Sequence, residues 1–235
     1  MIVIFTSPFP LKKNLHMGGK KKGRLEFYPA EKVTEFKFEE FEDLGKVFRF
    51  DDWMAILDNL DAHHKPFAEI MIMTGLSASE AAGIRRKDYR GNELWIRNSI
   101  VKNVEKSQLK TKYRPRIIPA TKAIQKNMQI LLDRTEGDYP FLTVTGLNFR
   151  EGTFRKNFWI PALRKADVAY NTPYSTRHSF AAWSLAIGMD FNRVVSLMGH
   201  GSKKMVYEVY GNYVEGLEKD KEKIRAYFGK DFLGE

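Results

Sequence analysis

The 235-residue chain contains no cysteine. That excludes disulfides, thiolate metal sites and cysteine nucleophiles, and it fits a reducing compartment. Long apolar runs are also missing: none approaches the ~20 residues that span a bilayer. The apolar opening Met1–Phe5 is short, no basic region precedes it, and Pro8 and Pro10 interrupt the chain just after it, so it does not read as a secretory signal. Acidic residues are the third scarcity. Asp and Glu number 29 against 39 Lys and Arg, leaving a formal net charge of +10. A surplus of that size attracts polyanions, of which nucleic acid is the commonest. With 43% hydrophobic residues the composition is still that of an ordinary globular protein. The expectation is a cytoplasmic protein with a polyanionic partner, no membrane association and no cofactor.

Two stretches differ in character. Residues 1–45 read as a basic, Gly-punctuated extension, with Lys12-Lys13 and Lys20-Lys21-Lys22 beside Gly18, Gly19 and Gly23. A short strand at Phe36, Phe38 and Phe41 is expected there. Residues 46–235 read as one domain, mainly α with a small antiparallel sheet. Asp51 or Asp52 is expected to cap a helix whose stripe is Trp53, Ile56, Leu57 and Leu60. A buried helix over Phe67–Met73 ends at Gly75, and Ser77-Ala-Ser-Glu80 has the form of a capping box. Strands are expected over Glu93–Val104 and Arg116–Ile118, paired as a hairpin or three-stranded sheet. Further helices are expected over Lys122–Leu132, Phe149–Ala166 with a break near Pro161, Arg177–Ile187, Asn192–Met198, Lys203–Tyr210 and Leu217–Phe228.

Four segments carry residues suited to phosphate chemistry. They are Thr74-Gly-Leu-Ser-Ala-Ser-Glu80, Leu109-Lys-Thr-Lys-Tyr-Arg-Pro-Arg-Ile-Ile-Pro119, Tyr174-Ser-Thr-Arg177-His178, and Leu197-Met-Gly-His200 leading to Tyr210. Their order resembles the catalytic domain of tyrosine recombinases, the phage-integrase family, from about Phe48 to Val214. The resemblance implies that a tyrosine hydroxyl attacks a DNA phosphate and forms a 3′-phosphotyrosyl link, which a second DNA hydroxyl later reseals. By position Tyr210 matches the nucleophile, with Tyr207 and Tyr213 as neighbouring aromatics. Arg177 matches the arginine of the family's His-x-x-Arg motif, where a planar fork can hold two phosphate oxygens. His200 matches the second histidine. Lys110 matches the hairpin lysine that protonates the leaving 5′ oxygen, with Lys112 as competitor. Lys112, Arg114, Arg116, Lys203 and Lys204 are expected on backbone phosphate, Arg114 and Arg116 alternatively packing the hairpin. Double-stranded DNA is the implied partner, with assembly as a tetramer on two duplexes and a monomer as the alternative free form. The tail from Leu217 to Phe228 would dock either on a neighbouring protomer or on its own domain.

Two positions depart from the pattern. The family normally has an arginine directly after Thr-Gly-Leu, and here it is Ser77, which cannot supply a charge-assisted fork. Arg85, Arg86 and Arg97 are the candidates to replace it; otherwise the chain is a catalytically impaired DNA-binding relative. Tyr174 stands where the first histidine is usual, and its phenol can still donate a hydrogen bond. His178 lies about 100° further round the helix than Arg177 and should not reach the same phosphate. Arg177→Ala is expected to lose cleavage and keep its fold. The family's usual helical core-binding domain would not fit in residues 1–45.

Overall fold

Three of the chain's four tryptophans form the centre of the domain. Trp53, Trp159 and Trp183 are each fully buried, and each indole N–H has an acceptor: the Tyr227 hydroxyl at 3.0 Å, the Asn171 carbonyl at 2.7 Å and the Phe48 carbonyl at 2.9 Å. Phe48 lies against Trp53 and Trp159, and its amide donates to Ser179 Oγ. The computed structural model describes residues 47–101, 104–106, 115–199, 214 and 216–234, all within the unit Glu40–Glu235. The extension 1–45, its expected strand and the helix expected over Lys203–Tyr210 lie outside the described residues.

The element order is α1 (Phe50–Asn59), α2 (Lys65–Thr74), α3 (Ala78–Ala82), β1 (Glu93–Ile96), β2 (Ser99–Val101), β3 (Val104–Lys106), β4 (Arg116–Pro119), α4 (Lys122–Leu132), α5 (Glu151–Phe154), a π-turn (Arg155–Trp159), α6 (Ile160–Lys165), α7 (Ser175–Ala186), α8 (Phe191–Met198) and α9 (Lys221–Phe228). The mainly helical class with a small antiparallel sheet is as expected. α2 is buried almost all round and packs between α4 and α7. Its near-continuous apolar run, Phe67 to Met73, reflects that position. Pro161, which has no N–H, cannot close the helical ladder to the preceding turn, and the π-turn sits just before it.

The sheet differs from expectation. Among the described residues there are two separate antiparallel pairs, β1 with β4 and β2 with β3. Leu94 and Ile118 are partners in the first pair and both face the core. The long strand expected over 93–104 is broken at Arg97-Asn98. There the backbone of Asn98 and Ser99 passes so close to Gly83 that a Cβ on Gly83 would lie 2.6 Å from it. α3 therefore takes β2 as its neighbour, and β2 cannot stay in line with β1.

The C-terminal tail docks on its own domain. Leu217, Ile224, Phe228 and Phe232 are buried, and Phe228 meets Phe180, Trp183 and Phe232. Asp231 accepts from the Lys122 amide at 2.8 Å, Lys223 pairs with Asp51, and Arg193 donates to the Leu233 carbonyl at 2.6 Å. Burying large apolar side chains contributes ~1.5–3 kcal/mol each, so the tail is an integral part of the fold.

Candidate active site

The turn from α2 to α3 begins the site. α2 ends at Gly75, whose φ of +66° is a left-handed conformation that closes the helix. A Cβ at Gly75 would lie 2.4 Å from the Phe180 ring, so glycine also allows α7 to approach. Ser77 then caps α3. Its Oγ accepts from the Glu80 amide, while Glu80 accepts from the Ser77 amide at 3.0 Å. The expected capping box is present, and Ser77 Oγ also donates to Glu80 Oε2 at 3.0 Å.

Glu80 does more than cap. Its side chain is fully buried and holds two arginines. Arg116 NH1 lies 3.0 Å from Oε1 and Arg177 NH1 lies 3.5 Å from Oε2. Burial pushes the Glu80 carboxyl up, but the charges of Arg116 and Arg177, with hydrogen bonds from Arg116 and the Ser77 amide, outweigh it and bring it from 4.5 to about 2. Glu80 is therefore ionised at neutral pH.

Each arginine reaches onward. Arg177, 1% exposed, donates from NH1 to the Gly75 carbonyl at 2.5 Å and from NH2 to the Met198 carbonyl at 2.6 Å. Its Nε is buried with no hydrogen-bond partner among the described residues. Arg116, 5% exposed, donates from Nε to the Leu197 carbonyl at 2.5 Å. Leu197 and Met198 form the last turn of α8, which Gly199 ends with φ +63° directly before His200. The described parts of all four motif segments are thus joined through Glu80 and its two arginines: the α2–α3 turn carries the carboxylate, the β4 end of the Lys110 segment and α7 carry the arginines, and the C-terminus of α8 accepts from both.

The remaining expected residues divide in two. Tyr174 precedes α7, is 40% exposed, and sets its ring edge-on to His178 with centroids 5.1 Å apart. Lys110, Lys112, Arg114, His200, Lys203, Lys204 and Tyr210 lie outside the described residues. The candidates to replace the missing arginine are occupied elsewhere. Arg85 pairs with Glu105 and Asp138. Arg86 binds the carbonyl of Leu132 at the end of α4 and those of Thr135 and Gly137 beyond it. Arg97 pairs with Asp88 and lies over the Trp95 ring. Arg85 and Arg86 are half-buried. Sequence reasoning misses Glu80 as the anchor of the site, because the capping box already explains it.

The sequence profile of the phage integrase family matches residues 46–215. The chain belongs to the phage integrase family. Within the integrases and their relatives, prophage integrase IntR of Escherichia coli K12 is 33% identical over 81 residues, 34% of this chain and 18% of IntR. Tyrosine recombinase XerD of Listeria monocytogenes serotype 4b is 26% identical over 178 residues, 68% of this chain and 55% of XerD. The chain thus spans about half the length of XerD and less of IntR. The integrase of transposon Tn1549 (residues 82–397), solved with circular intermediate DNA, shares the fold with a TM-score of 0.61 at 19% identity, over 76% of this chain and 66% of that one. XerA recombinase gives 0.56 at 18% identity, over 72% and 63%. Among the described residues no helix is long and apolar enough to cross a membrane.

Proposed function

We propose that this chain is the catalytic part of a site-specific DNA recombinase that cuts and rejoins strands through a 3′-phosphotyrosyl intermediate at Tyr210. The observation that carries the reading is the joining of four separate segments through Glu80 and its two arginines, which connects Arg177 to the supports of the Lys110 and His200 segments. In this reading the Tyr210 hydroxyl attacks the scissile phosphorus. The bond to the 5′ oxygen breaks, and that oxygen takes a proton from Lys110, with Lys112 as the alternative donor. Charge gathers on the non-bridging oxygens, where Arg177, His200 and the Tyr174 phenol donate. A 5′ hydroxyl from a second strand reverses the step, and the phosphodiester energy is conserved throughout.

Double-stranded DNA is the substrate, and the net charge of +10 favours it. Arg114, Lys203 and Lys204 serve the backbone, and strand exchange takes place in a tetramer on two duplexes. Complexes with DNA among the solved relatives, those of Tn1549 integrase and lambda integrase, support this partner. Ser77 is the observation that favours the second reading, a relative that binds DNA without turnover.

The deciding experiment incubates the protein with nicked suicide duplexes taken from its own genomic neighbourhood. A covalent adduct on a denaturing gel, lost in Tyr210→Phe, is the expected result. Sequence-specific gel-shift binding without an adduct supports the impaired relative. No affinity for DNA at low salt overturns both.

A further inference from the structure

The segment that carries Lys110 follows β3 and leads into β4, and an arginine–glutamate pair stands at each of these ends. At the β4 end, Arg116 meets Glu80. At the β3 end, Glu105 meets Arg85, which lies just beyond α3. The ladder of β3, among the described residues, runs to β2 alone, and the β2–β3 pair is separate from β1–β4. Val104 and Lys106, on either side of Glu105, are exposed. Glu105 is half-buried and is the β3 side chain that reaches Arg85.

Arg85 is itself held on the domain. Its amide donates to Asp88 Oδ2 at 3.1 Å, and the Arg86 amide donates to the Asp138 carbonyl at 2.6 Å. Its guanidinium reaches Asp138 Oδ2 from Nε at 3.6 Å and Glu105 Oε1 from NH2, and it lies 5.8 Å from the centre of the Tyr139 ring. Hydrogen bonds from Arg85 and from Tyr139 hold the Glu105 carboxyl below its ordinary range. Two side chains of the domain body therefore converge on one carboxylate of β3. A pair this accessible to water adds little to global stability, so its consequence is local: it fixes where β3 lies.

We propose that Arg85 is a positioning residue for strand cleavage, fixing through Glu105 the strand from which the Lys110 segment departs and thereby setting the reach of the proton donor to the leaving 5′ oxygen. This rests on the recombinase reading, in which Lys110 or Lys112 is that donor. Arg85 does not stand in for the guanidinium missing at Ser77; it serves the leaving group instead of the phosphate. Proton transfer needs a heavy-atom contact of ~2.6–3.2 Å, and a misplacement of ~1 Å can cost about a hundredfold in rate. Glu105 precedes Lys110 by five residues, close enough for its anchoring to limit such misplacement.

The test uses the full chain and a nicked suicide duplex that the wild type cleaves, made in two forms. One has the normal oxygen at the 5′ bridging position of the scissile phosphate, and the other has sulfur there. In both, the bond from the Tyr210 oxygen to phosphorus forms and the bond from phosphorus to the bridging atom breaks. The departing oxygen must gain a proton, whereas sulfur leaves with the electron pair as a stable thiolate and needs none. Arg85→Met and Glu105→Gln are expected to slow adduct formation about tenfold on the oxygen duplex and less than about twofold on the sulfur duplex. Arg85→Lys, which keeps the charge, should stay within about threefold of wild type on both. A merely structural defect would slow the two forms alike.

Equal slowing on both duplexes, or none on the oxygen duplex, overturns the proposal. Amide hydrogen exchange supplies a readout that does not depend on cleavage: the peptide covering residues 104–115 should exchange faster in both variants while α4 is unchanged, and unaltered exchange there also overturns it. If Arg85→Met does not fold, Glu105→Gln decides, because a half-buried carboxylate on a short strand can be neutralised without emptying the core. If wild type forms no adduct on any DNA, the recombinase reading fails and the proposal falls with it. A wild type that cleaves both duplexes, beside variants slowed equally on the two, rejects the role of Arg85 alone.

Discussion

Two glutamates in this domain, one fully buried and one half-buried, should respond to the same substitution with opposite sign. Glu80 is fully buried between Arg116 and Arg177. Its carboxyl stands at about 2 instead of 4.5. That difference corresponds to on the order of 3 kcal/mol of stability. Because the folded value is depressed, this contribution is fully present above the unfolded value and disappears as pH falls through the folded one, between about pH 5 and 2. Glu80→Gln keeps the shape but leaves two buried guanidiniums without their counter-charge, a change that costs ~3–5 kcal/mol. Urea unfolding at neutral pH should show a midpoint lower by about 1–2 M. The gap between wild type and variant should close as the pH is lowered from about 5 towards 2, since protonated Glu80 resembles Gln. Glu69 is the contrast. Burial raises its carboxyl, and the Tyr227 hydroxyl, Lys126, Asn127 and Lys65 do not reverse the shift. With a raised folded value, its contribution is present below the unfolded value and lost as pH rises through the folded one. Glu69→Gln retains an acceptor for the Tyr227 hydroxyl, now 3.3 Å from Oε1, and should leave the midpoint at pH 7 unchanged or raised. A pH-independent gap for Glu80→Gln, or equal losses in both variants, would refute the charge argument and leave packing as the cause.

Arg177→Ala removes a buried anchor as well as a site charge, so it should lose ~3–5 kcal/mol. Its cleavage must be assayed on protein shown to be folded by circular dichroism; a native-like urea midpoint would contradict the placement of Arg177. Gly75→Ala combines a left-handed φ with a 2.4 Å clash against Phe180, and ~2–4 kcal/mol should be lost in urea unfolding. In Gly83→Ala the new Cβ meets the backbone of Asn98 and Ser99, which no rotamer change relieves, so thermal unfolding should occur well below wild type. Phe228→Ala should cost ~3–5 kcal/mol, and the wild-type melting temperature should not vary with protein concentration because the tail docks within its own chain. A midpoint that rises with concentration would mean that the tail is shared between chains.

Much of the fold is legible in the sequence because its signals are local. Helix α4 is found over the expected Lys122–Leu132, since its buried Ile124, Met128 and Leu131 repeat at helical spacing after a Thr121 cap. The start of α1 is less so. The cap expected at Asp51 or Asp52 falls at Arg49, with both aspartates in the first turn. A carboxylate favours a helix N-terminus from either position, so residue type alone does not separate them. The broken strand is not legible, because the break at Asn98 is set by Gly83, fifteen residues away in sequence, where an added Cβ would lie 2.6 Å from the Asn98 backbone.

The site shows the same division between local and distant causes. Ser77-Ala-Ser-Glu80 reads as a capping box, and that local account leaves nothing about Glu80 to explain. A capping glutamate needs only its own end of the helix, and most such residues keep one carboxylate edge in water. Glu80 is fully buried, and a buried carboxylate demands cations that no capping pattern supplies. That demand is implicit in the sequence once α3 is set among apolar neighbours: Ala78, Ala81 and Ala82 surround Glu80, so the helix has little solvated face. An acidic residue inside such an alanine-rich turn must find its partners from elsewhere in the chain. Arg177 and Arg116, at separations of 97 and 36 residues, are those partners. The capping box fixes Glu80 in place and the arginines require it to be charged, so the same side chain that begins α3 also determines where the positive charge of the site is held.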